Sequence, residues 1–360
     1  MFKRNVFFRK LESQSSEKDR SQAMADLLAS QEECNIFQKP EKVAVKIHVG
    51  EKNNDTHVGP DTVRKAVQWI RDMGARPFLT ETATLYKGCR YDGISHLEHA
   101  FNHGFTQGKT MAPFIMADGL LGNTEIEVAI PGELQKSVHI AREAVLADGL
   151  VVISHATGHM QAGIGACIKN IGMGLASRIG KLRQHSSIKP FVKPEVCTLC
   201  RACIRWCPET AIVEQDGKAF IIEEKCTGCG ECLAVCNYGA VAYNWGVGSE
   251  ELQKQMAEHA LGAVIGKKNK CVYINVLASM TKDCDCLHVK QTPVIDDIGI
   301  LLSADPVAID QATFDLTAEK SGSHLGKKGY PELDPFIQLD HAQKIGLGSR
   351  EYNLIMINHS

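Results

Sequence analysis

Apolar and polar positions change period repeatedly along this chain. VAVKIHV (43–49) is an apolar run of strand length; Gly59-Pro60-Asp61 then opens a helical period lasting to Met73, and RPFLTET (76–82) returns to strand character. That succession predicts a β-α-β unit. Further strands are expected at PFIMADG (113–119), IEVAIPG (126–132) and GLVVISH (149–155), with a helix near 138–147 and another around 163–178. After residue 245 the alternation resumes, with a helix near 250–264 and strands at CVYINVL (271–277), DIGILLS (297–303) and YNLIMI (352–357). Asp305-Pro306 places a cap and a first-turn proline at one more helix start. The first forty residues read as a polar lead with one short helix, SEKDRSQAMADLLAS.

Composition narrows the class. A 360-residue chain suits two domains. Its 44% apolar content is that of an ordinary globular protein, and a net charge of −2 gives no reason to expect a nucleic-acid partner. No apolar run approaches about 18 residues, so no membrane span is expected. The N-terminus is basic, soon turns polar and lacks the apolar core and small-residue cleavage site of a secretory signal.

Eight of the 14 cysteines fall into two copies of one pattern. Cys197, Cys200, Cys203 and Cys207 are spaced Cys-x2-Cys-x2-Cys-x3-Cys-Pro, and Cys226, Cys229, Cys232 and Cys236 repeat the spacing with Asn237 in place of Pro208. This is the run of bacterial two-cluster ferredoxins, in which the remote fourth cysteine ligates the other cluster. Two [4Fe–4S] clusters are expected, one held by Cys197, Cys200, Cys203 and Cys236, the other by Cys226, Cys229, Cys232 and Cys207. Zinc knuckles and disulfides are the competing uses of such cysteines. CTLCRACIRWCPETAIV aligns with CTGCGECLAVCNYGAVA beyond the cysteines, and Asp216-Gly217 between two apolar runs signals a hairpin. Arg201 and Arg205 lie in the first run while Glu223, Glu224 and Glu231 surround the second, so the cluster of Cys197, Cys200 and Cys203 is expected to have the higher potential. Cysteines kept reduced for cluster loading point to the cytoplasm and an anaerobic setting.

The expected fold is α/β: a body with a mixed or parallel sheet, discontinuous in sequence, carrying an inserted α+β ferredoxin-like domain. Residues 1–190 form the first part of the body, with 1–42 as a polar helical lead; residues 191–245 form the two-cluster module; residues 246–360 complete the body. Ligands of open α/β sheets bind beyond the carboxyl ends of strands. That rule selects His48, Glu81, Asp118 and His155, with His159, Lys169 and Asn170 in the adjoining glycine-rich stretch. His155, His159 and Lys169 are the candidate catalytic groups, the histidines for proton shuttling and the lysine for a carboxylate or phosphate; helix–sheet packing and capping are their structural alternatives. Asp283-Cys284-Asp285-Cys286 offers Cys284 and Cys286 as ligands of an additional metal or as a redox dithiol, with an inert loop as the plain alternative.

VAVKIHVGE (43–51), TLYKG (84–88), ADGLLG (117–122), SHATGHMQAGIGACIKNIGMG (154–174), DCDC (283–286), DIGILLSADPVAIDQA (297–312) and GLGSREYNLI (346–355) occur in an order that resembles the domain-of-unknown-function 362 family of iron–sulfur-centre proteins. The resemblance implies cluster binding and an α/β body, and no defined reaction. Three functions stay open: a redox enzyme feeding electrons to a small-molecule substrate or metal in its body, an electron carrier or adaptor for a redox partner protein, and metal or sulfur handling in cofactor assembly through Cys284 and Cys286.

Overall fold

The computed structural model describes residues 4–185, 189–226, 230–242, 248–267 and 269–358, without the side chains of residues 32 and 234. Cys229 and residues 243–245, both inside the expected cluster module, lie outside the described residues.

The chain is an α/β protein framed by an eight-stranded mixed sheet. Its strands are β1 (Arg4–Lys10), β2 (Lys42–Lys46), β3 (Arg76–Glu81), β4 (Phe114–Met116), β5 (Gly149–His155), β6 (Cys271–Leu277), β7 (Gly299–Ser303) and β8 (Tyr352–Met356). They lie in the order β8-β1-β7-β6-β5-β2-β3-β4. Neighbours are parallel except on the two sides of β7, so β7 alone among these strands is reversed.

Side-chain alternation along the central strands divides the core in two, one part on each face of the sheet. Val151, Ile153, Val272 and Ile274 pack with Met24 and Leu27 of helix α1 (Glu17–Ala29) and with Val63, Val67 and Ile70 of α2 (Pro60–Asp72). Leu150, Val152, Tyr273 and Leu301 pack instead with Ile168 and Ile171 of α3 (Cys167–Gly172), Ala257 and Ala260 of α4 (Ser249–Val264) and Ile309 and Phe314 of α5 (Pro306–Ser321). Covered on both faces, β5 and β6 are buried at every residue, which is why they read as unbroken apolar runs. The α5 start is as expected: the Asp305 carboxylate accepts from the Val307 and Ala308 amides at 2.9 and 3.0 Å, ahead of Pro306 at the first position.

Three local expectations are corrected. The lead contains β1 as well as α1, and β1 lies between β8 and β7 with Val6, Phe7 and Phe8 buried. Flanking Arg4, Asn5, Arg9 and Lys10 hide that strand in the sequence; Arg9 is nonetheless buried, paired with Asp26 at 3.2 Å. The stretch 138–147 is half strand: Ser137–Ala141 pairs with Glu125–Ala129 in a separate hairpin, and only Arg142–Leu146 is helical. The stretch 163–178 starts as the second arm of a hairpin, Thr157–His159 with Gly163–Gly165, before α3.

Between β5 and β6 the chain makes a small unit of its own. Phe191–Val192 pairs antiparallel with Val241–Ala242, Ile212–Gln215 pairs with Lys218–Ile221, and two short helices span Ala202–Trp206 and Glu231–Ala234. Asp216 (φ 51°) and Gly217 (φ 71°) supply the two left-handed residues of the tight hairpin turn. Among the described residues no helix is long and apolar enough to cross a membrane.

Candidate functional site

Two cavities open in the small unit. One is lined by Cys197, Cys200, Cys203 and Cys236. The other is lined by Cys207, Cys226 and Cys232. Each therefore gathers thiols from both cysteine runs. Local backbone explains how. Arg201 (φ 60°) and Gly230 (φ 77°) hold equivalent left-handed positions ahead of the two short helices, and Thr210 (φ 49°) and Gly239 (φ 68°) do so three residues after Cys207 and Cys236. The turns after these fourth cysteines redirect the chain, and the first returns the Ala211 amide to the Cys207 sulfur at 3.2 Å. The Ala219 amide points at the Cys197 sulfur at 3.5 Å. Amides aimed at sulfur favour thiolate charge. Arg201 is exposed and paired with Glu214 at 2.9 Å, and Arg205 reaches the Cys200 carbonyl at 3.5 Å.

A second concentration of chemistry sits beyond the carboxyl ends of β2, β3 and β5. Lys46, fully buried, contacts Glu81 at 3.2 Å and Asn170 at 2.7 Å. Glu81 also meets His96 at 2.9 Å and accepts from the Val49 amide at 3.3 Å. Burial pushes the Glu81 carboxyl up, but Lys46 above all, helped by the His96 hydrogen bond, holds it well below the usual carboxylate range. Arg90 donates to Glu51 at 3.1 Å and lies 3.1 Å from the His48 ring. Burial, then Arg90, keeps His48 neutral. Asp118 is fully buried and takes the Ala83 amide at 2.9 Å; burial raises its carboxyl.

Asp285 is the anchor between the two cysteines of the Cys-x-Cys turn. It lies 2.7 Å from His155 and accepts from Asn54 and Thr56 at 3.0 and 2.9 Å. Burial opposes the Asp285 charge, yet His155 pulls its carboxyl below the normal range; burial likewise lowers His155, and Asp285 more than reverses that. The other His155 nitrogen meets the Ala278 carbonyl at 2.8 Å, so both ring nitrogens are engaged. The Lys169 ammonium makes no hydrogen bond or ion pair among the described residues, and burial followed by repulsion from Arg90 and Lys46 brings it down to about 8.

Cys284 and Cys286 are joined by a disulfide. Potential ligand atoms of His159, Cys284 and Cys286 all lie within 4.8 Å of one another. The hairpin carrying His159 reaches this turn because residue 158 is glycine: a Cβ there would collide with the Lys282 carbonyl. His159 Nδ1 accepts from the Gln161 and Ala162 amides at 3.3 and 3.1 Å, which leaves the ring hydrogen on Nε2. Burial, then Lys169, holds this ring well below its ordinary value and keeps it neutral.

The loop after β3 joins the two regions. Tyr86 donates to the Cys286 carbonyl at 3.1 Å and receives a hydrogen bond from Arg90. The next residue, Lys87, donates to the Asn237 carbonyl at 3.1 Å, and Tyr91 donates to the Leu233 carbonyl at 2.6 Å. Leu85 packs among the apolar residues around Cys197, Cys203, Cys232 and Cys236.

The candidates from the sequence thus gather in two places, the seven described cluster cysteines in the small unit and His155, His159, Lys169, Cys284 and Cys286 in the body. Sequence reasoning missed Lys46, Glu51, Tyr86 and Arg90 as site residues. A lysine inside the apolar strand run VAVKIHV was a readable signal for Lys46; Tyr86 and Arg90 stood in a loop directly after a strand end, where function concentrates.

Residues 43–315 match the family model described as "Domain of unknown function (DUF362)". Among solved structures, the lactate racemase apoprotein from Thermoanaerobacterium thermosaccharolyticum is similar at 12% identity and a TM-score of 0.39, over 76% of this chain and 50% of that one. A protein from Thermotoga maritima is similar at 11% identity and a TM-score of 0.39, over 80% and 56%. The chain thus spans about half the length of these structures. No curated protein matches the sequence.

Proposed function

The chain belongs to the DUF362 family, and from that premise we propose that it is an iron–sulfur protein that binds two [4Fe–4S] clusters and passes electrons to a site in its α/β body. The supporting observation is the crossed lining of the cavities: Cys236 of the second run faces Cys197, Cys200 and Cys203, while Cys207 of the first faces Cys226 and Cys232. The donor set fits the group, with thiols only and amides aimed at two of the sulfurs. Bound there, the clusters supply one-electron carriers. Residues 191–245 act on this reading as a ferredoxin-like domain inserted between body segments 1–190 and 246–360.

In the body, His155 positions Asp285 and through it the Cys-x-Cys turn, the neutral His159 ring lies beside the sulfurs, and Lys169 carries an ammonium without a partner among the described residues, suited to an anionic substrate group. Tyr238, 52% exposed and lining the Cys236 cavity, gives a redox partner protein a surface to dock on. A second reading, metal or sulfur handling at Cys284 and Cys286, draws on their closeness to His159.

Anaerobic iron and acid-labile sulfide per chain, with EPR of the reduced protein, test the proposal. About eight of each is expected. Fewer than about four irons with stoichiometric zinc would overturn it.

A further inference from the structure

The proposed clusters are one-electron centres, and two of them in one chain match a two-electron acceptor. The body contains such a couple. We propose that the Cys284–Cys286 disulfide is the internal acceptor of the cluster electrons, a step that rests on the cluster reading above.

The geometry carries this in three parts. The first is the loop after β3. Lys87 holds the carbonyl of Asn237, the residue after Cys236, while Tyr86, one residue earlier, holds the carbonyl of Cys286. A path of two peptide links, two hydrogen bonds and the side chains of Lys87 and Tyr86 therefore joins a cluster-cavity cysteine to the disulfide.

The second is the rigidity of the turn. Asp285 is fixed by His155, Asn54 and Thr56, Asp283 is hydrogen-bonded by Tyr330 and Gln291, and the Leu287 amide closes on the Cys284 carbonyl at 3.1 Å. Reduced thiols would stay side by side, ready to close again. The third is His159. Its one ring lone pair is taken by backbone amides, and its ring hydrogen sits on the other nitrogen. That suits a thiolate better than a shared metal, which needs a lone pair.

The step balances within named groups. The S–S bond accepts two electrons and two protons and becomes two S–H groups. The electrons arrive singly from the two reduced clusters, which a low-potential external donor recharges, and the protons come from water at the partly exposed Cys286. Cys284 is buried. Cys286 is accordingly the sulfur that solvent and any onward disulfide acceptor meet first.

The test uses the full chain, reconstituted anaerobically with iron and sulfide and titrated with dithionite beside a Cys284→Ala/Cys286→Ala variant. Electron uptake is counted, and the pair is read by differential alkylation and mass spectrometry. At equal iron, about four electrons per chain are expected for the parent and about two for the variant. Cys284 and Cys286 should become alkylatable in the loaded protein and stay protected in cluster-free protein given the same dithionite. Equal uptake at about eight irons would remove this inference and leave the cluster reading standing. Equal alkylation with and without clusters would do the same, as would a pair isolated as thiols on a bound metal. Iron far below eight would overturn both.

Discussion

Tyr86 and Cys286 lie 200 residues apart, and the tyrosine hydroxyl donates to the cysteine carbonyl at 3.1 Å. Arg90 orients that hydroxyl from behind and is itself fixed by Glu51. Tyr86→Phe should therefore leave iron content unchanged, lower stability by only about 1 kcal/mol and slow reduction of the Cys284–Cys286 pair by dithionite-reduced protein. Alkylation at timed intervals checks it, and an unchanged rate would dismiss the loop as the route.

Crossed ligation makes a pattern that an uncrossed arrangement cannot. In Cys236→Ser, the thiols of Cys197, Cys200 and Cys203 should become reactive to alkylation while Cys226 and Cys232 stay protected. Iron should fall from about eight to about four. Cys207→Ser should give the reverse. Loss of protection confined to the mutated run would refute the crossing.

Lys46 and Glu81 form a buried ion pair at 3.2 Å, with neither side chain more than 4% exposed. Removing one partner of such a pair costs about 3–5 kcal/mol because the other charge is stranded. Glu81→Leu and Lys46→Met should each show a loss of that order in urea denaturation. The double variant should lose less than their sum. Strict additivity would mean that the charges do not feel one another.

Acid should weaken the protein well above the carboxylate range. His259 is fully buried, and burial lowers its pKa from 6.5 to about 4. The unfolded chain thus binds a proton that the folded chain refuses, and stability falls as pH drops from 6.5 towards 4. At pH 5 this one ring accounts for about 2 kcal/mol. His57 and His185, lowered by burial to about 4, act in the same direction. His155 acts oppositely: raised by Asp285 against burial, it stabilises fully below its unfolded value and loses this as pH rises through its higher folded one. The depressed Asp285 stabilises above its unfolded value and loses this as pH falls through the folded one. His259→Leu should shrink the stability lost between pH 7 and 5 by about 2 kcal/mol in paired denaturation curves. An unchanged difference would show that His259 does not titrate as proposed.

The sheet was legible wherever burial on two faces produced long apolar runs, as in β2, β5, β6 and β7. It was illegible in β1, where Arg9 is neutralised by a helix partner that period alone cannot reveal. The arm Gly163–Gly165 looked like a helix start but pairs with Thr157–His159, where Gly158 allows close backbone approach to Lys282. For the site, cysteine spacing carried its own geometry. His155 and Lys169 followed from strand ends. Glu51, Tyr86 and Arg90 act only through contacts with distant segments, and a loop sequence does not state which carbonyl a tyrosine will find.

The left-handed positions of the two cysteine runs are filled unequally. The second run has Gly230 and Gly239; the first has Arg201 and Thr210, with Leu199 (φ 54°) besides. Each side chain in that conformation costs roughly 1 kcal/mol or more. On the iron–sulfur reading, the glycine-bearing half can hold its shape before metal arrives, whereas the other half needs ligation to offset its backbone. Metal loading then has a built-in order of maturation: the half around Cys232 is the template, and the segment Cys197–Cys207 folds onto it last and frays first when iron is withdrawn.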